Sequence, residues 1–317
     1  MTLERKPAGR RQTLLIVGCG DVGMRVLKLL RSQWRVLALT SSPDRLSILR
    51  QAGAVPLLGN LDLPSSLGRL AGLADAVLHL APPASSGQID RRTGALLQAL
   101  LKGHRVRRVV YASTTGVYGD CQGQRLDETR SVAPGTDRAR RRVDAEAQVR
   151  RFGRRTGAAV SILRIPGIYA RDREGGQPRD RVVRRAPVLA QEDDVYTNHI
   201  HADDLARACV AALARGAPQR VYNVCDDTDL KMGDYFDLVA RLEGLAAPPR
   251  ITRLQAMQQL GPMQLSFMSE SRRIDNRRLK TELQLRLRYP TVLQGLQPPS
   301  EPVATAAAGA GAVWPGS

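Results

Sequence analysis

The sequence predicts an α/β protein, a doubly wound parallel sheet with a smaller C-terminal lobe, and three observations predict it. Between residues 14 and 164 short apolar runs alternate with longer segments of helical period, six times over, which is the rhythm of parallel strands covered on both faces by crossover helices. A glycine-rich turn, "VGCGDVG", directly follows the first run, where a sheet of this kind passes from strand into helix. Beyond residue 164 the alternation loosens into loops and short segments, as expected of a smaller lobe threaded onto the sheet's edge.

Strands are expected at 14–17, 35–39, 55–58, 76–80, 108–112 and 160–164, each a short apolar run such as "LLIV" or "VVYA". Between them, apolar residues at helical spacing predict helices at 21–31, 43–52, 92–102 and 137–155. Residues 170–198 read as loop and short elements. A helix is then expected from Asp203, with Asp203 or Asp204 as its N-cap, followed by a strand "RVYNVC" at 220–225 and helices from about 231. From Gln297 the tail is rich in proline, glycine and alanine without periodicity, which predicts disorder.

Composition narrows the function. A chain of 317 residues with 43% hydrophobic content can bury a sizeable core. The formal charge of +18 favours anionic partners. Specific nucleic-acid binding is not expected, because only 4% of residues are aromatic and stacking platforms need aromatics. Cys19, Cys121, Cys209 and Cys225 lie far apart with no CxxC pair, which argues against a disulfide framework and a zinc site and suits a reducing cytoplasm. No apolar run approaches the ~18 residues of a membrane span, and none follows the basic N-terminus as a signal peptide would. A cytoplasmic protein without a membrane partner is expected.

The chemistry starts at the glycine turn. Gly18, Gly20 and Gly23 complete G-x-G-x-x-G after a strand and at the opening of a helix, with Asp21 and Val22 between them. The first glycine permits the tight turn, the second lets backbone approach a pyrophosphate, and the third lets helix and strand pack closely. The helix N-terminus then presents free amides to the phosphates. About 20 residues on, where NAD-preferring sheets place an acid against the ribose 2′-hydroxyl, this chain has Thr40, Ser41 and Ser42, with Arg45 one turn later. Hydroxyls and a guanidinium suit a 2′-phosphate. NADP is therefore the expected cofactor, with NAD as the alternative.

Five further stretches, "YASTTGVYGD" at 111–120, "ILRIPGIYARDR" at 162–173, "NHIHADDLARA" at 198–208, "VYNVCDD" at 221–227 and "DNRRLKTELQLRLRYPT" at 275–291, complete a resemblance. From about residue 13 to residue 296 the chain resembles the extended short-chain dehydrogenase/reductase superfamily, the group known as the NAD-dependent epimerase/dehydratase family. The resemblance implies a Rossmann domain at 13–165 behind a basic tail at 1–12, a substrate lobe with returning Rossmann elements at 166–296, and a tail at 297–317. It implies that Asn60 and Leu61 contact adenine, and that Leu80, Ala81 and Pro82 pass the ribose and nicotinamide. It places Thr114 at the catalytic serine or threonine position, with Ser113 beside it, and Ile165, Pro166 and Ile168 beside the nicotinamide carboxamide.

One stretch departs from the family pattern. Members carry Tyr-x-x-x-Lys on the fourth helix, with an Ala-Glu pair shortly after. Anchored on Ala145 and Glu146, "GTDRARRRVDAE" puts Arg138 at the tyrosine position and Arg142 at the lysine position. Arg142 retains the charge that would hold the nicotinamide ribose, but arginine hardly deprotonates and makes a poor proton donor. The chain is therefore expected to be an NAD(P)-binding oxidoreductase or epimerase/dehydratase-like protein with an altered catalytic set of Thr114, Ser113, Arg138 and Arg142. The alternative is a catalytically silent NADP-binding redox sensor or regulatory protein that acts through a partner. The expected ligand is an anionic small molecule, as the arginine-rich segment 170–198 hints. His199 and His201, two apart, are expected to belong to a helix-opening landmark and not to a metal site. The carboxylates of "DCQGQRLDET", Asp120, Asp127 and Glu128, are expected in a solvated turn.

Overall fold

The computed structural model describes residues 11–30 and 34–297. Seven strands form one parallel sheet: β1 Gln12–Val17, β2 Trp34–Thr40, β3 Val55–Leu58, β4 Ala76–His79, β5 Arg108–Thr114, β6 Ala159–Ile165 and β7 Arg220–Asn223. Their spatial order is β3-β2-β1-β4-β5-β6-β7, with every neighbouring pair parallel. The chain leaves β1 first to one side and then to the other, so a crevice opens above the carboxyl ends of β1 and β4, where doubly wound sheets bind ligands.

Both faces of the sheet are buried, and the period of two along each strand shows why. Leu14 and Ile16 of β1 join one apolar cluster with Val26, Leu205 and Cys209, whereas Leu15 and Val17 join another with Leu96, Leu100, Val149 and Phe152. Helices α1 Asp21–Leu29 and α6 Ala202–Arg215 therefore cover the first face. Helices α3 Arg91–Leu101 and α4 Asp137–Thr156 cover the second. Helix α2 Arg45–Gln51 lies between β2 and β3. Gly157 ends α4 in the left-handed conformation, at φ 74°, as a helix C-terminus commonly requires.

The smaller lobe has its own apolar centre, built around Tyr169, Val188, Tyr235, Phe236 and Val239. It contains α5 Pro178–Val183 and α7 Met232–Leu242. The sheet thus gains a seventh strand, β7, from the segment expected at 220–225, ending two residues early at Asn223.

The N-cap of α6 differs from expectation. His201 caps the helix, its Nδ1 accepting from the Asp203 amide at 3.2 Å. Asp203 and Asp204 are engaged elsewhere. Asp203 accepts from Arg25 at 2.5 Å, and the fully buried Asp204 accepts from the amides of Arg288 and Tyr289, pinning the chain near its C-terminus to α6. The acidic turn is also more structured than expected. Asp127 accepts from Thr129 within its own turn, but the Glu128 side chain is buried and accepts the Asn223 amide at 2.8 Å, locking that loop to the end of β7. Most of the basic tail and all but Gln297 of the C-terminal tail lie outside the described residues.

All four cysteines are buried with free thiols. Asp226, just beyond β7, is 4% exposed with one carboxylate oxygen buried and unpartnered. Burial moves its pKa from the ordinary 3.8 up to about 7. A carboxyl whose folded-state pKa is raised contributes stability at low pH that is lost as pH rises through the folded value. Between about pH 4 and pH 7 the protein should therefore lose stability, by up to a few kcal/mol. Asp226→Asn should flatten that slope in denaturant melts across the range, and an unchanged slope would assign it to other groups.

Candidate functional site

Two cavities meet above the carboxyl ends of the strands. The first, about 660 Å³, runs from the glycine turn across β1, β2 and β4. Gly18 has φ +82°, and a Cβ there would stand 2.5 Å from the Ala81 nitrogen, so this turn and the loop after β4 can approach only through a glycine. Gly20, the N-cap of α1, offers no side-chain cap and has nothing within 4 Å of where a Cβ would be. An uncapped helix N-terminus with open space before it is the arrangement a pyrophosphate fits. Asp21, Val22 and Gly23 complete this wall.

At the end of β2, Thr40, Ser41 and Arg45 line the same cavity. Arg45 donates to the Cys19 carbonyl at 2.8 Å, which brings its guanidinium over the glycine turn. Ser42 lies outside the lining, its amide donating to Thr40 Oγ1 in a local turn. Burial pushes the Cys19 thiol up to about 11, so it forms a neutral wall. Asn60 and Leu61 close one end, and Leu80, Ala81 and Pro82 pass along the floor. Sequence reasoning missed two neighbours here. Asp62 and Arg92 line the cavity as an ion pair at 2.5 Å, joining the loop after β3 to α3.

The second cavity, about 510 Å³, lies between the sheet and the smaller lobe. Thr114, Arg142, Pro166, Ile168 and Arg173 line both cavities and form their junction. Thr114 caps the turn after β5, accepting from the Gly116 amide at 3.3 Å. Ser113 and Ile165 belong to the first cavity only. Ser113 Oγ donates to Glu146 at 2.6 Å, and Glu146 is ion-paired with Arg164, so this hydroxyl serves a buried network.

Helix α4 carries Arg138 and Arg142. Arg138 and Arg142, four apart, share a face and both line the second cavity. Arg142 donates to the Tyr111 hydroxyl at 3.1 Å and to the Ala112 carbonyl at 2.7 Å, which seats its guanidinium against the end of β5. Arg140 points elsewhere, pairing with Asp137 at 2.8 Å on the exposed side. Arg141 is buried and donates to the Gly87 carbonyl. The four arginines of this turn therefore have different surroundings, which answers to a site-facing helix better than to a uniform basic face.

Of the phenols near Thr114 in the motifs, Tyr111 is fully buried and accepts from Arg142 behind the junction, and the other two lie away from it. Tyr118 is 1% exposed and donates to Asn223 at 2.7 Å, and Tyr169 is 2% exposed within the smaller lobe. Tyr196, His199 and Glu270 line the second cavity and were not singled out by sequence as proton carriers. His199 stacks on Tyr235 at 3.9 Å, and burial holds its pKa down at about 3, so the imidazole is neutral. Glu270 is tied to Arg272 at 2.7 Å. His199 and His201 flank Tyr169, and no group of three or more His, Cys, Asp or Glu side chains among the described residues is placed to hold a metal ion.

Arg173 is the other missed residue. It donates to Asp21 at 3.1 Å and to the Ile168 carbonyl at 3.1 Å, so it ties the loop after β6 to the start of α1. Together with Arg25, which pairs with Asp21 at 3.0 Å, it offsets a carboxylate standing at the open N-terminus of α1.

A seven-stranded parallel sheet with a glycine turn at its switch point and a second lobe closing over the crevice defines an extended Rossmann protein. The chain belongs to the NAD dependent epimerase/dehydratase family, whose model matches residues 14–225. Among curated relatives, Protein YeeZ of Escherichia coli K12 is 27% identical over 286 residues, covering 88% of this chain and 96% of its own length. A functionally unknown conserved protein from Silicibacter pomeroyi is 33% identical, with a TM-score of 0.75 over 90% of this chain and 96% of its own. The UDP-glucose 4-epimerase of Thermotoga maritima, solved with UDP-glucose, is 19% identical with a TM-score of 0.73 over 90% of this chain and 96% of its own. That last likeness is one of fold. No helix among the described residues is long and apolar enough to cross a membrane.

Proposed function

We propose that this chain is an NADP-binding, epimerase/dehydratase-like protein with an altered catalytic set, holding an anionic small molecule beside the dinucleotide. The observation that carries the reading is the junction itself. Thr114, Arg138 and Arg142 line the second cavity together, and the sequence resemblance sets them against the family's hydroxyl, phenol and amine. The glycine turn and the uncapped start of α1 would hold the pyrophosphate, and Asn60 and Leu61 the adenine. Arg45 would pair with a 2′-phosphate, and Thr40 and Ser41 would donate to it. Arg142 would hold the nicotinamide ribose with the N–H groups it does not spend on Tyr111 and Ala112. A nicotinamide dinucleotide supplies a hydride carrier when bound. Thr114 would donate a hydrogen bond to the ligand oxygen, and Arg138 would attract that oxygen without releasing a proton to it. Ordinary alcohol oxidation should then be very slow.

The second reading, a catalytically silent redox sensor, is favoured by the burial of Tyr118 and Tyr169 away from the junction. Slow but measurable turnover of a sugar-nucleotide or alcohol substrate would favour the first reading, and no turnover the second. The cofactor assignment is tested by titrating NADPH and NADH into the wild type and Arg45→Glu. NADPH should bind more tightly to the wild type, and the reversal of charge should remove the preference. Tighter binding of NADH by the wild type, or an unmoved preference in the variant, would count against NADP.

A further inference from the structure

The cavity between the lobes carries more positive charge than its own carboxylate can offset. Five arginines line it, with Glu270 as the one acidic side chain in the lining. Three of the five are engaged. Arg272 pairs with Glu270 at 2.7 Å, Arg173 pairs with Asp21 at 3.1 Å, and Arg142 donates to Tyr111 and Ala112.

Arg142 also lies over a ring, 5.8 Å from the centroid of Tyr111, but its bonds seat it against the end of β5; Arg138 and Arg181 are the two guanidinia set over the phenylalanine rings of the cavity wall. Neither pairs with a carboxylate among the described residues. Each guanidinium instead lies over an aromatic ring, Arg138 4.9 Å from the centroid of Phe267 and Arg181 4.6 Å from that of Phe236. Arg138 is exposed and lines the cavity. Arg181, from α5, donates to the Pro187 carbonyl at 3.2 Å, while its Nε is buried with no acceptor. A ring beneath a guanidinium supports one face and leaves the in-plane N–H donors for the oxygens of an oxyanion. A buried N–H without an acceptor carries a desolvation cost that such a ligand would relieve.

We propose that this cavity takes a ligand with two oxyanionic groups, one docked on Arg138 and the other on Arg181. Carboxylates and phosphates share the required chemistry. Met232 and the two rings give the cavity an apolar wall for the part of the ligand between the groups. The inference deepens the proposed function and rests on it in one respect: the ligand group at position 138 is an anion and not a hydroxyl. No proton then has to be delivered there, which is why a guanidinium can stand where the family uses a phenol.

The test is calorimetric titration of the full chain at ionic strength fixed with chloride, with pyrophosphate as the phosphate probe and citrate as the carboxylate probe. At least one probe should bind once per chain, at least tenfold more tightly than to Arg138→Ala and Arg181→Met alike, with Arg140→Ala matching the wild type. The preferred probe identifies the oxyanion. Equal affinity in all variants would place the anion elsewhere on a basic surface and overturn the proposal. So would a loss in only one variant, or no binding of either probe beyond chloride. Arg181→Lys, which keeps the charge, decides the matter if Arg181→Met fails to fold. NADPH titration of the same samples keeps the two readings apart. A chain that takes a probe but no NADPH sinks the cofactor assignment alone, and one that takes NADPH but neither probe sinks this inference alone.

Discussion

Glu146→Ala is expected to cost about 3–5 kcal/mol of folding stability, the range for removing one partner of a buried ion pair. Glu146 and Arg164 are bonded at 2.8 and 3.1 Å, and their side chains are 6% and 5% exposed. Ser113 adds a third bond to the same carboxylate at 2.6 Å. Without the carboxylate, the buried Arg164 charge would lose its acidic partner and keep only the neutral Tyr118 side chain, whose ring lies 4.7 Å from its guanidinium carbon, among its described neighbours. One Arg164 nitrogen already lacks an acceptor, so no spare partner stands ready. Removing both charges, as in Glu146→Met with Arg164→Met, should recover much of the loss, because paired removal leaves no orphan. Urea melts of the single and double variants check this. A single-variant loss below about 1 kcal/mol would mean that water reaches Arg164 and that the network does not hold the site's floor.

The two ends of the glycine turn should respond to substitution in opposite ways. At Gly18 the left-handed backbone, with a collision 2.5 Å from the Ala81 nitrogen, makes Gly18→Ala a folding defect. About 1–3 kcal/mol is expected from backbone strain before the clash is counted. At Gly20 φ is −83° and no atom lies within 4 Å of a Cβ, so Gly20→Val should melt close to the wild type. Its side chain would instead occupy the space before α1, where the proposed pyrophosphate would sit. NADPH affinity should fall by about 1–3 kcal/mol, roughly 5- to 150-fold. Thermal melts and NADPH titrations on both variants give the comparison. Gly20→Val with undiminished affinity would remove the pyrophosphate from this helix end.

What the sequence made legible follows from range. The strands and helices of the sheet were readable because a period of two or 3.6 is a local property, and the glycine turn because its three positions span six residues. The match of Arg138 and Arg142 to one helix face was readable for the same reason. The second cavity was not, since its walls come from separate segments: Thr136 to Arg142, Arg181, Tyr196 to His199, Met232 to Phe236, and Ser266 to Arg272. Arg181 stood in an arginine-rich run that hinted at an anion, but nothing local set it apart from Arg179 or Arg184. The cap of α6 was misjudged because Asp203 and Asp204 answer to partners far away in sequence, Arg25 in one direction and Arg288 in the other.

Arg142 is proposed to serve the dinucleotide. NADPH affinity of Arg142→Ala, measured beside Arg140→Ala, tests it most directly. The geometry predicts a loss of about 1.5–3 kcal/mol at Arg142, the size of a hydrogen bond to a charged group, and little change at Arg140, which faces Asp137 on the exposed side. Equal losses at the two positions, or no loss at Arg142, would contradict the assignment.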